Sequence, residues 1–327
     1  MTVHTVFAGD IGGTKTRLAM VEVSNLQLTI LREASYASRD FASFDLLLAD
    51  FLSNMDPPRR AAFGVAGPVQ GQVVQTTNLP WCIDANALQA KFGFERCTLI
   101  NDLEATACGL SALGEDDLLT LQEGVCDTCG NAAVIAPGTG LGEAGLYWDG
   151  KKHLPFATEG GHASFSPSSE LEISLLRYLK VQYQHVSWER VVSGVGIMNL
   201  HEFLREHRNI PVPQWLHKEI QSIGAAAISK AAIKRSDEIC VQTLDCFVRL
   251  LGAEAGNLAL KIMSSSGLYI GGGIAPKILP ALASGTFLEA FLNKGRMRHL
   301  LEAMPVKVIL NDRAALYGPA LRVAEMR

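Results

Sequence analysis

The chain has 327 residues, 48% hydrophobic and 19% charged, enough for two domains with buried cores. Its net charge is −4 and no run of five Lys or Arg occurs, which argues against a polyanion-binding surface but leaves room for a local anion site. No apolar stretch approaches the roughly 18–20 residues that span a bilayer, Met1–Ala8 lacks a basic signal region, and seven scattered cysteines suit the reduced thiols of a cytoplasmic protein.

Thr5 to Ile11 reads as a strand, Gly12-Gly13 breaks it, and Thr16 to Val23 resumes it, so a hairpin is expected. A third strand fits Leu28 to Leu31. Arg60 to Val65 and Gln72 to Thr76 read as strands on either side of Ala66-Gly67-Pro68. Asp84 is a good N-cap and Gly93 a good stop for the helix between them. Cys97 to Ile100 reads as a buried strand ending at Asn101-Asp102, with a helix from Leu103 to about Leu113 after it. Cys126-Asp127-Thr128-Cys129 has the spacing of a redox pair or half a zinc site. No second Cys/His pair accompanies it, and a plain polar loop is the simpler reading.

The pattern then restarts. Ala132 to Ala136 is a strand, Pro137-Gly138-Thr139-Gly140 a turn, and Glu143 to Trp148 a strand. Two such hairpins, about 125 positions apart, imply a duplicated α/β domain. The later part of the chain is mostly helical. Ser169-x-x-Glu172 is a capping box, and Ser236 to Met263 carries an apolar stripe from Cys240 to Ile262. Leu268 to Ile270 is a strand stopped by Gly271-Gly272-Gly273, and Val306 to Leu310 is another. A closing helix capped by Asn311 or Asp312 is expected to pack on the first domain. The boundary falls near Gly114, giving a small α/β domain of 1–113 plus 304–327 and a larger α/β domain of 114–303 with helical additions.

Gly9-Asp10-Ile11-Gly12-Gly13-Thr14-Lys15-Thr16 falls short of a P-loop. Thr14 stands where that motif needs Gly, and Arg17 to Val21 alternates like a strand instead of opening a helix. The tip could still wrap a phosphate with backbone N–H groups and the Thr14 hydroxyl. Asp10 would repel a bare phosphate, and fits if it holds Mg²⁺ directly or through water. An ordinary type I′ turn is the bland alternative. Gly138-Thr139-Gly140 is a second tip, not a dinucleotide fingerprint, because a strand comes after it. Gly271-Gly272 comes after a strand and is expected to open a helix, which suits a nucleotide at a helix N-terminus. Together the three clusters point to one nucleotide in a cleft between domains.

Six motifs occur in an order that resembles the bacterial glucokinases over nearly the whole chain. They are Gly9-Asp10-Ile11-Gly12-Gly13-Thr14, Leu99-Ile100-Asn101-Asp102-Leu103-Glu104-Ala105, Gly138-Thr139-Gly140-Leu141-Gly142, Glu159-Gly160-Gly161-His162, Glu189-Arg190-Val191-Val192-Ser193-Gly194 and Gly271-Gly272-Gly273. The resemblance implies a duplicated ribonuclease-H-like α/β fold of the actin and hexokinase type, with two domains and a cleft between them. It also implies a homodimer that phosphorylates the 6-hydroxyl of glucose from Mg·ATP, giving glucose 6-phosphate for glycolysis. By the same resemblance Asp102 is the general base, where the residues alone leave capping of the adjoining helix equally open.

Asn101, Glu159, His162 and Glu189 are then the sugar clamp, since such groups accept from or bridge hydroxyls in pairs. From the residues alone, Glu159 and His162 could be a surface loop or a metal pair, and Glu189 could serve a helix dipole. The related repressor/open-reading-frame/kinase family has a Cys-rich zinc motif beside its sugar-binding His. Here Gly161-His162-Ala163-Ser164-Phe165 leads into no such cluster, so no structural zinc is expected. Eight residues before Gly9 leave no room for a DNA-binding helix-turn-helix, so no nucleic-acid partner is expected. Closure of the domains on glucose would exclude water, with Trp81 and Trp188 expected near the cleft. The alternatives are a kinase of mannose, fructose or an N-acetylhexosamine, and a non-catalytic ATP or sugar sensor, which has no need of Asp102.

Overall fold

The computed structural model describes residues 4–24, 27–53, 55–76, 79–125 and 129–326. Cys126 lies outside them, so the Cys126–Cys129 spacing is described only at its exposed Cys129 end. Contacts divide the chain into a first unit of residues 1–117, 154–157 and 311–327 and a second of 118–153 and 158–310.

The first unit begins with β1 (His4–Ile11), β2 (Lys15–Ser24), β3 (Gln27–Ala37) and helix α1 (Phe44–Phe51). It continues through β4 (Arg60–Val65), β5 (Val73–Gln75), β6 (Cys82–Asp84), α2 (Ala85–Phe92), β7 (Arg96–Asn101) and α3 (Asp102–Gly109). The main sheet runs β3-β2-β1-β4-β7, with β1 antiparallel to β2 and parallel to β4. Because β1 is central, both of its faces are buried and its sequence is nearly all apolar. Phe7 and Ile11 enter a core with Phe63 and Trp81, while Val6 and Ala8 enter another with Leu316 and Ala320 of the C-terminal helix. Side chains alternate along a strand, so Asp10 belongs to the Val6–Ala8 face. Helix α2 starts and stops as expected: Asp84 accepts from the Asn86 amide at 2.8 Å, and Gly93 closes it at φ 74°.

The second unit holds β8 (Leu118–Gln122), β9 (Ala132–Pro137), β10 (Leu141–Trp148), β12 (Gly267–Ile270), β13 (Val306–Ile309) and the two ends of β11 (His153–Thr158), residues 154–157 of which count with the first unit. Its helices are α4 (Glu170–Gln182), α5 (Gly194–Arg208), α6 (Gln214–Ile223), α7 (Ala225–Ile233), α8 (Glu238–Ile262), α9 (Leu279–Leu282), α10 (Thr286–Leu292) and α11 (Arg298–Glu302). The sheet order is β11-β10-β9-β12-β13-β8. An antiparallel β9–β10 hairpin with parallel β12 and β13 after it repeats the plan of β1–β2, β4 and β7. Helix α8 covers this sheet, with Leu251, Ala255 and Leu258 in one core with Ala133 and Ile135.

Sequence and structure part at several points. Residues 306–309 were expected with the small domain, yet β13 is hydrogen-bonded between β12 and β8 of the second unit. Strands β8 and β11 were not anticipated: β8 is only five residues long and β11 holds Pro155. Helix α3 ends at Gly109, and residues 110–112 tighten into a 3-10 turn. Trp81 and Trp188 are 1% and 2% exposed, each packed inside its own unit, so neither lies at an open surface. The closing helix, α12 (Ala314–Glu325), does return to the first unit. It meets α3 backbone to backbone: a Cβ on Gly318 would stand 1.8 Å from the Ala105 carbonyl oxygen, and one on Gly109 2.0 Å from that of Ala314. No described helix is long and apolar enough to cross a membrane.

Candidate active site

In the first unit the glycine turn is the tip of the β1–β2 hairpin. The Gly12 amide donates to the Lys15 carbonyl at 3.1 Å. Gly12 does not use left-handed backbone; glycine is needed there because a Cβ would stand 2.9 Å from that same carbonyl oxygen. Gly9 is equally constrained, with Phe63 and Leu18 side chains 2.7 and 2.8 Å from a Cβ position. Behind the tip sits buried Ser38. Its hydroxyl donates to the Gly12 carbonyl at 2.7 Å and lies 3.0 Å from the Thr16 hydroxyl, and its amide donates to the Thr14 carbonyl at 3.1 Å. These bonds take the inward-facing carbonyls of residues 12 and 14 and leave the tip braced.

Asp10 faces Arg17 across the hairpin. Burial pushes its carboxyl up to about 6, with Arg17 working against that rise. Arg17 itself hydrogen-bonds the side chain and carbonyl of Asp312, just before α12, and lies 3.6 Å from Glu33 of β3. The hydrogen bond holds Asp312 below the usual carboxylate range and raises Arg17. Strand parity puts Asp10, Arg17 and Glu33 on one face. This Arg17–Asp312–Glu33 group was missed in the sequence, where Arg17 counted only as part of an alternating strand.

Asn101 and Asp102 stand where β7 becomes α3. The Asn101 side chain accepts from the Leu103 amide at 2.9 Å and the Glu104 amide at 3.3 Å, and donates to the Gly67 carbonyl at 3.2 Å. It is therefore the N-cap of α3. Asp102 is the first residue of α3, and its Oδ1 accepts from the Leu103 amide at 3.0 Å, which fixes the carboxylate at the helix N-terminus.

In the second unit one residue, Leu141, touches two of the remaining motifs. The Leu141 amide donates to Glu189 Oε2 at 3.0 Å, and a Cβ on Gly161 would lie 2.0 Å from the Leu141 carbonyl oxygen. Thus Glu189 rests against the Gly138-Thr139-Gly140 turn, where a Cβ on Gly140 would stand 2.4 Å from its carboxylate. The turn itself is closed by Gly138 N–H to the Gly140 carbonyl at 2.8 Å, and the Gly138 carbonyl accepts from Gly194 at 2.8 Å. Residues 163–165 bridge to 186–188, through Phe165 N–H to Val186 and Trp188 N–H to Ala163. That bridge draws Glu159 and His162 toward Glu189. Glu159 and His162 flank a 3-10 turn with their side chains about 60% exposed and 3.9 Å apart, open to a ligand in solution.

Gly271 and Gly272 come directly after β12. Gly272 has φ 78°, and a Cβ there would be 2.4 Å from the Pro137 carbonyl oxygen, so the segment lies on the end of β9 beside the second turn. Residues after it form a 3-10 turn (Ala275–Lys277) and then the four-residue α9, so the helix expected directly after the glycines is only a short turn. A nucleotide there would meet a glycine backbone and no strong helix dipole.

A family model described as Glucokinase matches residues 7–326. The chain belongs to the glucokinase family. It is 43% identical to the glucokinase of Trichormus variabilis over 98% of this chain and 99% of that protein. It is 38% identical to that of Synechocystis over 97% of each. Among solved structures, a glucokinase from an Antarctic psychrotroph matches at TM-score 0.85 and 32% identity over 99% of both chains. A Streptomyces griseus ROK family glucokinase in complex with glucose and AMPPNP matches in fold, at TM-score 0.68 and 20% identity over 98% of this chain and 100% of that one. The architecture is thus the mixed α/β, ribonuclease-H-like fold of glucokinases and ROK sugar kinases.

Proposed function

We propose that the chain transfers the γ-phosphoryl group of Mg·ATP to the 6-hydroxyl of glucose, with Asp102 as the general base. Membership of the glucokinase family over residues 7–326 makes it an ATP-dependent sugar kinase, and the observation that carries the residue assignment is the Asp102 carboxylate fixed at the start of α3. A base held by one backbone amide has a defined direction, and such a group contributes about 10²–10⁴-fold.

In this reading the Gly9-Asp10-Ile11-Gly12-Gly13-Thr14 tip, braced by Ser38, binds phosphate, and Gly138, Thr139, Gly140, Gly271 and Gly272 complete the ATP site. Asn101, Glu159, His162 and Glu189 hold the sugar. Asn101 also fixes Gly67 and the start of α3, and its side-chain nitrogen keeps a second N–H for the sugar. Asp10 would hold Mg²⁺, directly or through water. A desolvated carboxylate at the foot of the phosphate turn suits this ion, which takes few protein ligands and keeps waters and phosphates around it. Bound there, the ion would neutralise phosphate charge as it develops. A homodimer in the cytoplasm, supplying glucose 6-phosphate to glycolysis, completes the proposal.

Asp102→Asn tests it. The expected result is retained glucose binding with kcat lowered at least about a hundredfold; turnover near that of the native chain removes Asp102 from the mechanism.

A further inference from the structure

Beneath the Glu159–His162 turn lies a second pair of carboxyls that the reaction does not use. Glu143 is directly opposite Ile135 in the β9–β10 hairpin, so parity points it into the core under α8. It is 2% exposed, and Glu254 of α8 is 0% exposed. The charge of Glu254 bears on Glu143 and helps to push its carboxyl up. Glu254 accepts from Asn257 at 2.7 Å, has the Lys261 ammonium at 3.5 Å, and feels the charge of Lys294. Lys294 in turn is tied to the Ala253 carbonyl and Asn257. Cationic support is therefore concentrated on Glu254. No donor among the described residues reaches Glu143 Oε1, although it is buried. An unpaired buried carboxylate is costly, and taking up a proton removes that cost.

The same residue is in contact with the turn above it. A Cβ on Gly160 would lie 1.9 Å from Glu143 Oε2. Thr158 donates its hydroxyl to the Glu143 carbonyl at 3.0 Å and accepts from the Gly160 amide at 3.2 Å. Glycine at position 160 is thus the space that the Glu143 carboxyl fills.

We propose that Glu143, protonated and filling the space beside Gly160, is a positioning residue that sets the Glu159–His162 turn for sugar binding. The inference rests on the reading that this turn holds the sugar. Burial, and then the charge of Glu254, pushes Glu143 up to about 8, so it keeps its proton at neutral pH. Loss of that proton would leave a second buried negative charge near Glu254, with Lys261 and Lys294 the cations that bear on the two among the described residues, and would press the Glu143 carboxyl on Gly160.

The test is steady-state kinetics of the full chain with glucose, from pH about 6 to about 9.5, for the native protein, E143Q, E143A and E159Q. The glucose KM of the native protein is expected to rise about five- to tenfold at the alkaline end, with the KM for ATP moving less. E143Q, which keeps a neutral donor, should hold its glucose KM level across that range. E143A should raise it at every pH, and if E143A does not fold, E143Q decides alone. An alkaline rise in E143Q equal to that of the native protein overturns the inference. An unchanged glucose KM in E159Q instead overturns the sugar-turn reading beneath it.

Discussion

The hairpin joining β1 to β2 and the one joining β9 to β10 occupy the same place in sheets of the same strand plan, yet their tips are braced differently. In the first unit the tip is held from below by a neutral hydroxyl, Ser38, and its acidic residue, Asp10, faces Arg17 across the hairpin. In the second unit a carboxylate, Glu189, holds the tip itself through the Leu141 amide, and no arginine answers it among the described bonds. A tip braced by neutral groups leaves its amides available to an anion. One braced by a carboxylate is tied instead to whatever else that carboxylate binds. Duplication supplied the frame, and the bracing side chains differ: the first tip is proposed for phosphate, while the second is proposed to couple nucleotide and sugar residues through Leu141.

Two substitutions sharpen that contrast. Glu189→Ala removes the partner of a largely enclosed amide, a loss of about 1–3 kcal/mol or roughly 5- to 150-fold. It is expected to lower kcat/KM for both glucose and ATP by a factor in that range. Glu189→Gln keeps an oxygen for the Leu141 N–H, so it should weaken glucose far more than ATP; equal losses in the glutamine variant would detach Glu189 from the sugar. The smaller effect belongs to Ser38→Ala. Two lost hydrogen bonds, to the Gly12 carbonyl and the Thr16 hydroxyl, of about 1 kcal/mol each should raise the KM for ATP about five- to thirtyfold and leave that for glucose unmoved. An ATP KM equal to that of the native chain would mean that the tip needs no brace.

The frame was legible because its signals are local. The break at Gly12-Gly13, the Asp84 cap, the Gly93 stop and the repeated strand–turn–strand unit each act within a few residues, and each is where the sequence places it. The site was legible as motifs but not as partnerships. Arg17 meets Asp312 across 295 positions of chain, Glu189 meets Leu141 across 48, and the Glu143 carboxyl fills the space beside Gly160. None of those pairings can be read from spacing. Parity offered one usable signal: Glu143 at a position paired with a core strand residue is a carboxylate facing inward, which calls for a partner. Gly271-Gly272 misled for the same reason, since the residues after it break into short turns under packing that no local pattern encodes.

The central claim is glucose phosphorylation, and ADP release from Mg·ATP across glucose, mannose, fructose and N-acetylglucosamine tests it most directly. Glucose is expected to give the highest kcat/KM, with little ADP formed when no sugar is present. A higher kcat/KM for any of the other three, or ADP formation independent of sugar, would contradict it.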